Sequence, residues 1–345
     1  MTVEPVLRIG MLGYGYWGPH LVRNFAGVPE ARVTVVADLD PARLAAGPSN
    51  GWVSTTDWQA VLEGPETDAV VIATPAATHH LLVKRALQAG KHVLVEKPLA
   101  LSAAEGRELA ALAERQHRVL MVGHTFLYNA AVRRLREYVS AGELGRVLYV
   151  SAQRLSLGRV RNDVNALWNF GPHDVSIILY LLGRRPIEVS ARGITCLQPG
   201  VEDVVFLTLL FPDRVAAHVH LSWLDPQKVR RMTVVGTRKM AVYDDVSVDA
   251  KITLFDRGVD LVPTADSPRD FKDFAEFQLR QSSGDIVIPP LEFPEPLAVE
   301  CAHFIECIRR DVRPLTDGTH GVEVVEILEA AQRSLRCGGV PERLG

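Results

Sequence analysis

The stretch "VLRIGMLGYGYWG", residues 6–18, carries Gly13, Gly15 and Gly18 in the G-x-G-x-x-G spacing. The spacing alone is a weak signal, because a glycine-rich turn that binds nothing can also show it. The context is more specific: the apolar run before the glycines is typical of a strand, and "HLVRNFAG" after them has a helical pattern. We therefore predict a strand–turn–helix unit that binds a dinucleotide.

The chemistry of this turn favours NAD as the dinucleotide. Glycine lets the backbone approach a pyrophosphate, whose charge then faces the helix N-terminus and the backbone N–H groups of Tyr16 and Trp17. Asp38 ends the next predicted strand, 20 residues after Gly18. Its carboxylate can accept hydrogen bonds from an adenosine ribose but repels the 2′-phosphate of NADP, and the "LDP" that follows brings another acid instead of an arginine. The alternative is that Asp38 is merely a turn residue at the end of a strand.

Short β-branched runs alternate with helical patterns through the first third of the chain. The strand candidates are "VLRIGML", "ARVTVVAD", "TDAVVIAT", "KHVLVEKP" and "RVLMVG". Among the helix candidates, "HHLLVKRALQAG" ends at Gly90, and "LSAAEGRELAALAERQ" begins with Ser102 and Glu105 as a capping box. Strands separated by helices predict a parallel, doubly wound sheet, so we assign residues 1–125 to an NAD-binding Rossmann domain of the α/β class.

The pattern changes after residue 125. Helical segments are followed by strand-like segments near 186–195, 203–211, 214–223, 230–236, 239–244 and 250–255. This order predicts an α+β domain, residues 126–345, with a large, open, mainly antiparallel sheet covered by helices on one face. Residues 257–296 are rich in Pro, Asp and Ser and are predicted to be irregular, whereas the C-terminal segment is predicted to be helical.

The totals exclude several classes of protein. A chain of 345 residues predicts two domains, and 38 basic against 41 acidic residues do not suit a nucleic-acid partner. No apolar run approaches the roughly 18 residues of a membrane span and no leader pattern opens the sequence, so we expect no membrane partner and a cytoplasmic location. The four scattered cysteines show neither zinc-site spacing nor disulfide density, and we predict no metal.

Further candidate cofactor ligands follow the other predicted strands, at the sheet edge where such folds bind nucleotides. Thr74, Pro75 and His79 follow the strand at 68–73, although His79 taken alone would be an ordinary helix-start residue. His124 follows "RVLMVG" and is a candidate for the nicotinamide side of the site.

Lys97 is the candidate acid–base group. Glu96 and Lys97 end the strand "HVLVEKP", and Pro98 stops that strand. An exposed lysine at a strand end is usually only a soluble charge. Beside the cationic ring of an oxidised cofactor, however, desolvation and like-charge repulsion both lower the lysine pKa from about 10.4 towards the working pH. Lys97 would then serve as a base, with Glu96 lining the cofactor.

Asn169 and His173, in "WNFGPHD", stand four residues apart. A helix already under way at Asn169 puts both side chains on one face. The alternative is a helix that starts only at Pro172, because the residue before a proline resists helical angles. In that case the spacing has no meaning and His173 is a helix-start residue near solvent.

With these motifs in place, the sequence resembles the glucose–fructose oxidoreductase/inositol dehydrogenase (Gfo/Idh/MocA) family. The resemblance spans nearly the whole chain and rests on "GYGYWG", "ATPAATH", "VEKP", "VGHTFLYNAAV", "WNFGPHD" and "PLTDGTHGVEVVEILEAA". It implies a Rossmann domain, a second domain whose open sheet serves subunit association, and hydride transfer at a sugar or polyol carbon. It also implies that Lys97 is the acid/base and that His173 lies near the reacting hydroxyl.

One position departs from the family pattern, because many members have an aspartate where this chain has Asn169. An amide does not exchange protons near neutral pH, so Asn169 would orient the substrate while Lys97 and His173 handle the proton. In this respect the chain is similar to members that act on the 3-position of nucleotide-linked sugars. The three groups would then frame one sugar hydroxyl.

Four further residues are candidate substrate contacts: Tyr128, Arg154, Arg161 and Asn165. The forked donors of arginine suit diphosphates and carboxylates, although most arginines on strands are simply solvated. We therefore expect an NAD-dependent oxidoreductase of a sugar or sugar nucleotide, assembled as a homodimer or homotetramer through the second domain. Two alternatives remain: an NAD-dependent glycoside hydrolase that passes through a 3-keto sugar, and a non-catalytic sensor of NAD and sugar.

Overall fold

The computed structural model describes residues 5–45, 51–158, 160–261 and 279–345. Its strands are β1 (Leu7–Leu12), β2 (Ala31–Ala37), β3 (Val53–Thr55), β4 (Ala69–Ile72), β5 (His92–Glu96), β6 (Leu120–Gly123), β7 (Val147–Leu155), β8 (Glu188–Ile194), β9 (Val204–Leu210), β10 (Ala216–Ser222), β11 (Val229–Gly236), β12 (Met240–Asp244), β13 (Ile252–Leu261), β14 (Leu279–Val287) and β15 (Glu342–Arg343). Its α-helices are α1 (Gly18–Ala26), α2 (Pro41–Ala45), α3 (Trp58–Glu63), α4 (His79–Gln88), α5 (Ala103–Arg115), α6 (Ala130–Ser140), α7 (Ala166–Leu182), α8 (Pro296–Arg310) and α9 (Gly318–Arg336).

The chain divides into two compact units. The first contains Met1–Asn129 and Pro294–Glu329, and the second contains Ala130–Phe293 and Ala330–Gly345. This division differs from the predicted domains, 1–125 and 126–345, because the chain returns to the first unit near its end. The physical reason is an apolar stripe on α8: Leu297, Cys301 and Phe304 join the core around β1 and α1, where the Phe304 ring lies 6.3 Å from the ring of Phe25.

The first unit is built on a six-stranded parallel sheet with the order β3-β2-β1-β4-β5-β6. Strands such as β4, which is buried along its whole length, have apolar side chains on both faces because helices cover both sides. The strand order reverses between β1 and β4, and ligands of such sheets bind outside the carboxyl ends of the strands at that point. The predicted Rossmann architecture is confirmed.

The second unit is built on a nine-stranded mixed sheet with the order β14-β13-β12-β11-β7-β10-β9-β8-β15. Among the strands that the structure describes in this sheet, only β7 and β10 pair in parallel, and the other pairs are antiparallel. Along β7, β9, β10 and β11, alternate residues are buried, as expected for a sheet with one covered face. The other face carries side chains that are at least partly exposed, including Tyr149, Phe206, His218 and Arg231. The predicted open and mainly antiparallel sheet is confirmed.

The segment 257–296 is more regular than predicted. Strand β13 continues to Leu261 and pairs with β14, while residues 262–278 lie outside the described part of the chain. Backbone pairing between two strands supplies the order that the Pro-, Asp- and Ser-rich composition does not predict.

All four cysteines are unbridged thiols. Within the described ranges, no group of three or more His, Cys, Asp or Glu side chains is arranged to hold a metal ion. In the same part of the chain, every helix is too short or too polar to cross a membrane.

Candidate active site

The glycine turn after β1 has a geometry that only glycine permits at two of its three positions. Gly13 has φ +93°, and a Cβ on it would lie 2.6 Å from the carbonyl oxygen of Ala73. A Cβ on Gly18 would overlap the carbonyl oxygen of Gly13, so this glycine lets α1 pack closely on β1. At Gly15 the Cβ position has one neighbour among the described residues, the Arg43 guanidinium, 3.6 Å away. These are the tight turn, the close packing and the open approach that a pyrophosphate site needs.

The two aromatic residues of the turn lie at the start of α1. Trp17 is the N-cap residue of that helix, and the Tyr16 side chain is 80% exposed. The Trp17 side chain makes no capping hydrogen bond to α1. Pro19 carries no N–H, and His20 and Leu21 donate theirs to the carbonyl oxygen of Trp17, so an anion at this helix end would meet the backbone N–H groups of the glycine turn.

Asp38 lies beside the turn and is held by the backbone. Its Oδ2 accepts a hydrogen bond from the N–H of Tyr14 at 2.7 Å, and its Oδ1 accepts from the N–H of Asp40 at 2.9 Å. The carboxylate is only 9% exposed and keeps lone pairs for a ribose diol. Arg43, which belongs to no sequence motif of the turn, places its Nη1 3.5 Å from Oδ2 of Asp38.

The loop after β4 is tied together by its own side chains. The hydroxyls of Thr74 and Thr78 lie 2.7 Å apart, and Pro75 is exposed. His79 is buried, with its ring nitrogens 2.7 Å from the carbonyl oxygen of Pro98 and 3.0 Å from that of Thr74. Burial lowers the pKa of this histidine. His79 therefore connects two loops of the site, and the structure gives it this role in place of the predicted contact with the cofactor.

Glu96 and Lys97 lie where β5 ends, and the Lys97–Pro98 peptide bond is cis. Both residues are half-buried. Burial raises the pKa of the Glu96 carboxyl to about 7, while the Lys97 charge and the Trp17 indole act in the opposite direction. The indole nitrogen lies beside that carboxyl without reaching full hydrogen-bond geometry. An acid that titrates near neutral pH thus lies next to the candidate base, which is typical of functional sites.

His124 follows β6 and is 2% exposed. Its ring packs edge-to-face on His320 of α9, with 5.3 Å between the ring centroids, and neither of its nitrogens has a hydrogen-bond partner within the described residues. Burial lowers the pKa of His124 well below its usual value, and the charges of His320 and Lys97 lower it further. His124 is therefore neutral and close to Lys97.

The spacing interpretation of Asn169 and His173 is confirmed, because α7 already runs from Ala166 to Leu182. The Asn165 side chain caps the helix by accepting from the N–H of Trp168 at 3.1 Å. Gly171, having no Cβ, tolerates the proline that follows it, so the helix passes through Pro172. Asn169 and His173 are both half-buried and lie one turn apart on one face, and the alternative start at Pro172 is wrong.

Three of the four predicted substrate contacts have structural roles instead: Arg154, Asn165 and Tyr128. Arg154 is 5% exposed and forms a buried ion pair with Asp174, with Nε 2.6 Å from Oδ2. Asn165 caps α7 and donates its amide to Glu202 at 2.6 Å.

Tyr128 is 1% exposed, and its hydroxyl lies 3.2 Å from the hydroxyl of Thr316. By contrast, Arg161 is exposed and pairs with Asp163, so its contact with a substrate stays a prediction. Sequence spacing could not separate these cases, because burial depends on distant partners.

Two family models match the chain. Residues 7–124 match the model described as the oxidoreductase family with an NAD-binding Rossmann fold, and residues 132–242 match the Gfo/Idh/MocA C-terminal domain.

Similar proteins cover most of the chain. UDP-N-acetylglucosamine 3-dehydrogenase from Acidithiobacillus ferrooxidans is 28% identical over 275 residues, which are 76% of this chain and 82% of that protein. The scyllo-inositol 2-dehydrogenase (NAD(+)) of Bacillus subtilis is 27% identical over 360 residues, covering 99% of this chain and 97% of that protein. The crystal structure of an oxidoreductase from Magnetospirillum magnetotacticum MS-1 is 33% identical, with a TM-score of 0.79, and covers 95% of this chain and 100% of that one.

Proposed function

Because the chain belongs to the Gfo/Idh/MocA family of NAD-binding oxidoreductases, we propose that it oxidises or reduces the 3-position of a nucleotide-linked sugar. The observation that carries the proposal is the set of groups at one edge of the first sheet. The glycine turn follows β1, Asp38 follows β2, and Lys97 follows β5, and these strands are parallel, so their carboxyl ends share that edge. A dinucleotide site and a candidate base are thus built on the same rigid scaffold.

NAD, when bound, supplies the group that accepts or donates the hydride. The residues of the chain bind the cofactor, orient the substrate and move the proton. Gly13, Gly15 and Gly18 give the backbone access to the diphosphate, and Asp38 accepts the ribose hydroxyls. In the direction of oxidation Lys97 takes the proton of the substrate hydroxyl, and in reduction it returns that proton.

Asn169 and His173 contact the substrate in this proposal. The Asn169 amide can donate and accept hydrogen bonds but does not titrate, so it orients the sugar. His173 assists at the reacting hydroxyl. Both side chains project from one face of a capped helix, which fixes the distance between them.

The nucleotide-linked sugar is supported by the relative that is named for such a substrate. Arg154 does not support this substrate assignment, because it is buried in an ion pair. Arg161 is the remaining arginine of the predicted set. The second relative is named for an inositol, so inositols are the first competing substrates to test.

The experiment is a screen of UDP-N-acetylglucosamine, other nucleotide sugars, free sugars and inositols for a change in nicotinamide absorbance. Turnover of a nucleotide sugar, with the 3-keto product identified by mass spectrometry, supports the proposal. Turnover of inositols alone contradicts the substrate assignment. Release of free sugar without net reduction of NAD identifies the glycoside hydrolase alternative.

Lys97→Ala tests the assignment of the base. We expect loss of turnover with NAD still bound, whereas Lys84→Ala should leave both unchanged. Lys84 lies on α4, pairs with Glu108 and is a matched control outside the site. Turnover retained by Lys97→Ala would remove the lysine from its role.

We also propose that copies of the chain associate as a homodimer or homotetramer through the open face of the second sheet, and that the protein works in the cytoplasm. The support for association is an exposed row that includes Tyr149, Phe206 and Leu210. Phe206→Asp should reduce the mass measured by light scattering, and an unchanged mass would contradict this interface.

A further inference from the structure

The helix α7 has its weakest point between the two residues that contact the substrate in the proposed reaction. Asn169 and His173 are separated by a Gly–Pro step, Gly171 and Pro172. Proline has no backbone N–H, so the helical hydrogen bond to the carbonyl oxygen four residues earlier cannot form, and both glycine and proline have low helix propensity. The backbone of α7 therefore fixes His173 relative to Asn169 less firmly than an uninterrupted helix would.

A buried ion pair holds the turn on the C-terminal side of this step. Asp174 directly follows His173, and its two carboxylate oxygens accept hydrogen bonds from Nε and Nη2 of Arg154 at 2.6 and 3.2 Å. Two parallel hydrogen bonds between a guanidinium and a carboxylate are directional. They set both the height and the rotation of this turn relative to β7.

The strand β7 is a firm partner for the turn. It lies inside the nine-stranded sheet and pairs with β10 on one side and β11 on the other. In that register Arg154 stands opposite Arg230 of β11. The Arg230 guanidinium donates to the Asp245 carboxylate at 3.2 Å, and the Tyr243 hydroxyl donates to the same carboxylate at 2.9 Å. The neighbouring arginine thus has a carboxylate of its own, and the Asp174 carboxylate is bound by Arg154.

The turn on the N-terminal side of the Gly–Pro step has a separate contact. Trp168, which precedes Asn169, donates its indole N–H to Oε1 of Gln332 at 3.1 Å. Asn165, the N-cap residue of α7, donates its amide to the same oxygen at 2.9 Å. Each of the two residues that contact the substrate therefore has a chain neighbour with a directional polar contact to another element.

Stability alone does not explain why the chain buries an ion pair here. Replacing a buried pair by apolar side chains of similar volume is often neutral or stabilising, because the two ions must be desolvated. Apolar contacts already hold α7, since Val175, Ile177 and Ile178 are fully buried. Apolar contacts are non-directional, whereas forked hydrogen bonds fix an orientation. Orientation is therefore what the ion pair adds to the packing of this helix.

We propose that Arg154 and Asp174 are positioning residues for His173: their ion pair holds the turn after the Gly–Pro step where the imidazole meets the reacting hydroxyl. Both residues are buried and act through His173. Site residues must be held within about 0.5 Å of the productive geometry, and a misplacement of about 1 Å can cost about 100-fold in rate. This inference rests on the proposed function, in which His173 contacts the substrate.

The decisive variant combines Arg154→Met with Asp174→Leu, which removes the fork and fills its place with apolar side chains. We expect nearly natural stability in urea unfolding. We also expect kcat/KM for UDP-N-acetylglucosamine or scyllo-inositol, whichever is turned over, to fall about 10- to 100-fold, with the dissociation constant of NAD unchanged. The control, Lys239→Met with Glu143→Leu, removes a partly exposed ion pair of the same unit and should leave turnover unchanged. Turnover that returns together with stability means a purely structural pair and overturns the proposal.

The position of α7 is measured without activity. Crystal structures of the natural protein and of the Arg154→Met, Asp174→Leu variant are superposed on the backbones of β7, β10 and β11. We expect the Cα atom of His173 to move by about 0.5 Å or more, while the Cα atom of Trp168 stays in place. An unmoved His173 overturns the proposal, whatever the turnover of the variant.

His173→Ala shows whether the ion pair acts through the imidazole. In a His173→Ala protein, replacing Arg154 and Asp174 in the same way should lower the remaining turnover about twofold at most, because the group that they position is already missing. A further fall as large as in the natural protein means that the ion pair acts on another group, and it refutes the proposal.

The outcomes separate this inference from the proposed function. If no nucleotide sugar or inositol is turned over, the proposed function fails, while the position of His173 in the crystal structures still decides whether the ion pair sets the helix. If turnover is found but His173 does not move in the variant, only this inference fails. Should the double variant not fold, Arg154→Lys keeps the charge without the fork and should both move His173 and lower kcat/KM; natural turnover with an unmoved His173 overturns the proposal.

Discussion

The buried ion pair between Arg154 and Asp174 gives the sharpest stability prediction. Arg154, on β7, and Asp174, on α7, are 5% and 3% exposed, and two hydrogen bonds of 2.6 and 3.2 Å join them. Asp174→Asn keeps the shape of the side chain but removes the charge of Asp174 from beside the guanidinium. Removing one partner of such a pair costs about 3–5 kcal/mol, because a charge stays buried without compensation.

The lower end of that range applies here. Asp245 also interacts electrostatically with Arg154 and can take over part of the compensation. We therefore expect Asp174→Asn to lower the free energy of unfolding of the second unit by about 3 kcal/mol. For a unit of this size that is a fall in Tm of roughly 6–12 °C.

The assay is urea unfolding followed by circular dichroism and tryptophan fluorescence, since Trp223 is fully buried in the same unit. The matched control is Asp163→Asn, which disrupts a two-bond pair with Arg161 at the surface, where we expect about 0–1 kcal/mol. A loss in Asp174→Asn within about 1 kcal/mol of the control would refute the burial reasoning. Replacing both partners together, as Arg154→Met with Asp174→Leu, should recover most of the loss.

Further predictions concern the first unit and Asn169 on α7. Gly13→Ala should lower stability by about 2 kcal/mol or more and weaken NAD binding in calorimetry, because of its positive φ and the carbonyl of Ala73; wild-type affinity would contradict this. Asp38→Asn should lower the ratio of the NADP dissociation constant to the NAD dissociation constant about tenfold in fluorescence titrations. An unchanged ratio would mean that the carboxylate does not face the ribose. Burial raises the pKa of the Glu96 carboxyl in the folded protein from 4.5 to about 7. The contribution of Glu96 to the free energy of unfolding is therefore full below pH 4.5 and falls by about 3 kcal/mol as the pH rises to 7. Glu96→Gln should remove this pH dependence of stability. Parallel denaturation curves for both proteins across that range would exclude it. Asn169→Asp should add a limb to the pH profile of kcat/KM, and an unchanged profile would place this residue outside the site.

The sequence by itself determined the features that depend on neighbouring residues. Alternating strands and helices predicted the parallel sheet, and the spacing of Gly13, Gly15 and Gly18 with Asp38 predicted the nucleotide turn that the structure contains. The Asn169 and His173 spacing likewise predicted a shared helix face. Periodicity, turn chemistry and helix capping act over a few residues, so they can be recognised without knowing the fold.

Only the tertiary structure decided which polar residues are buried and which groups compensate the cost of burying them. The sequence indicated three ligands of the site, namely His79, Arg154 and Asn165. In the structure each is buried and contacts partners that its local sequence does not specify. In the other direction, Glu300 reaches Thr125 across 175 positions of the chain, because the apolar stripe of α8 packs into the first unit. The cost of burying a charge depends on the groups that packing places around it, and these come from distant parts of the chain.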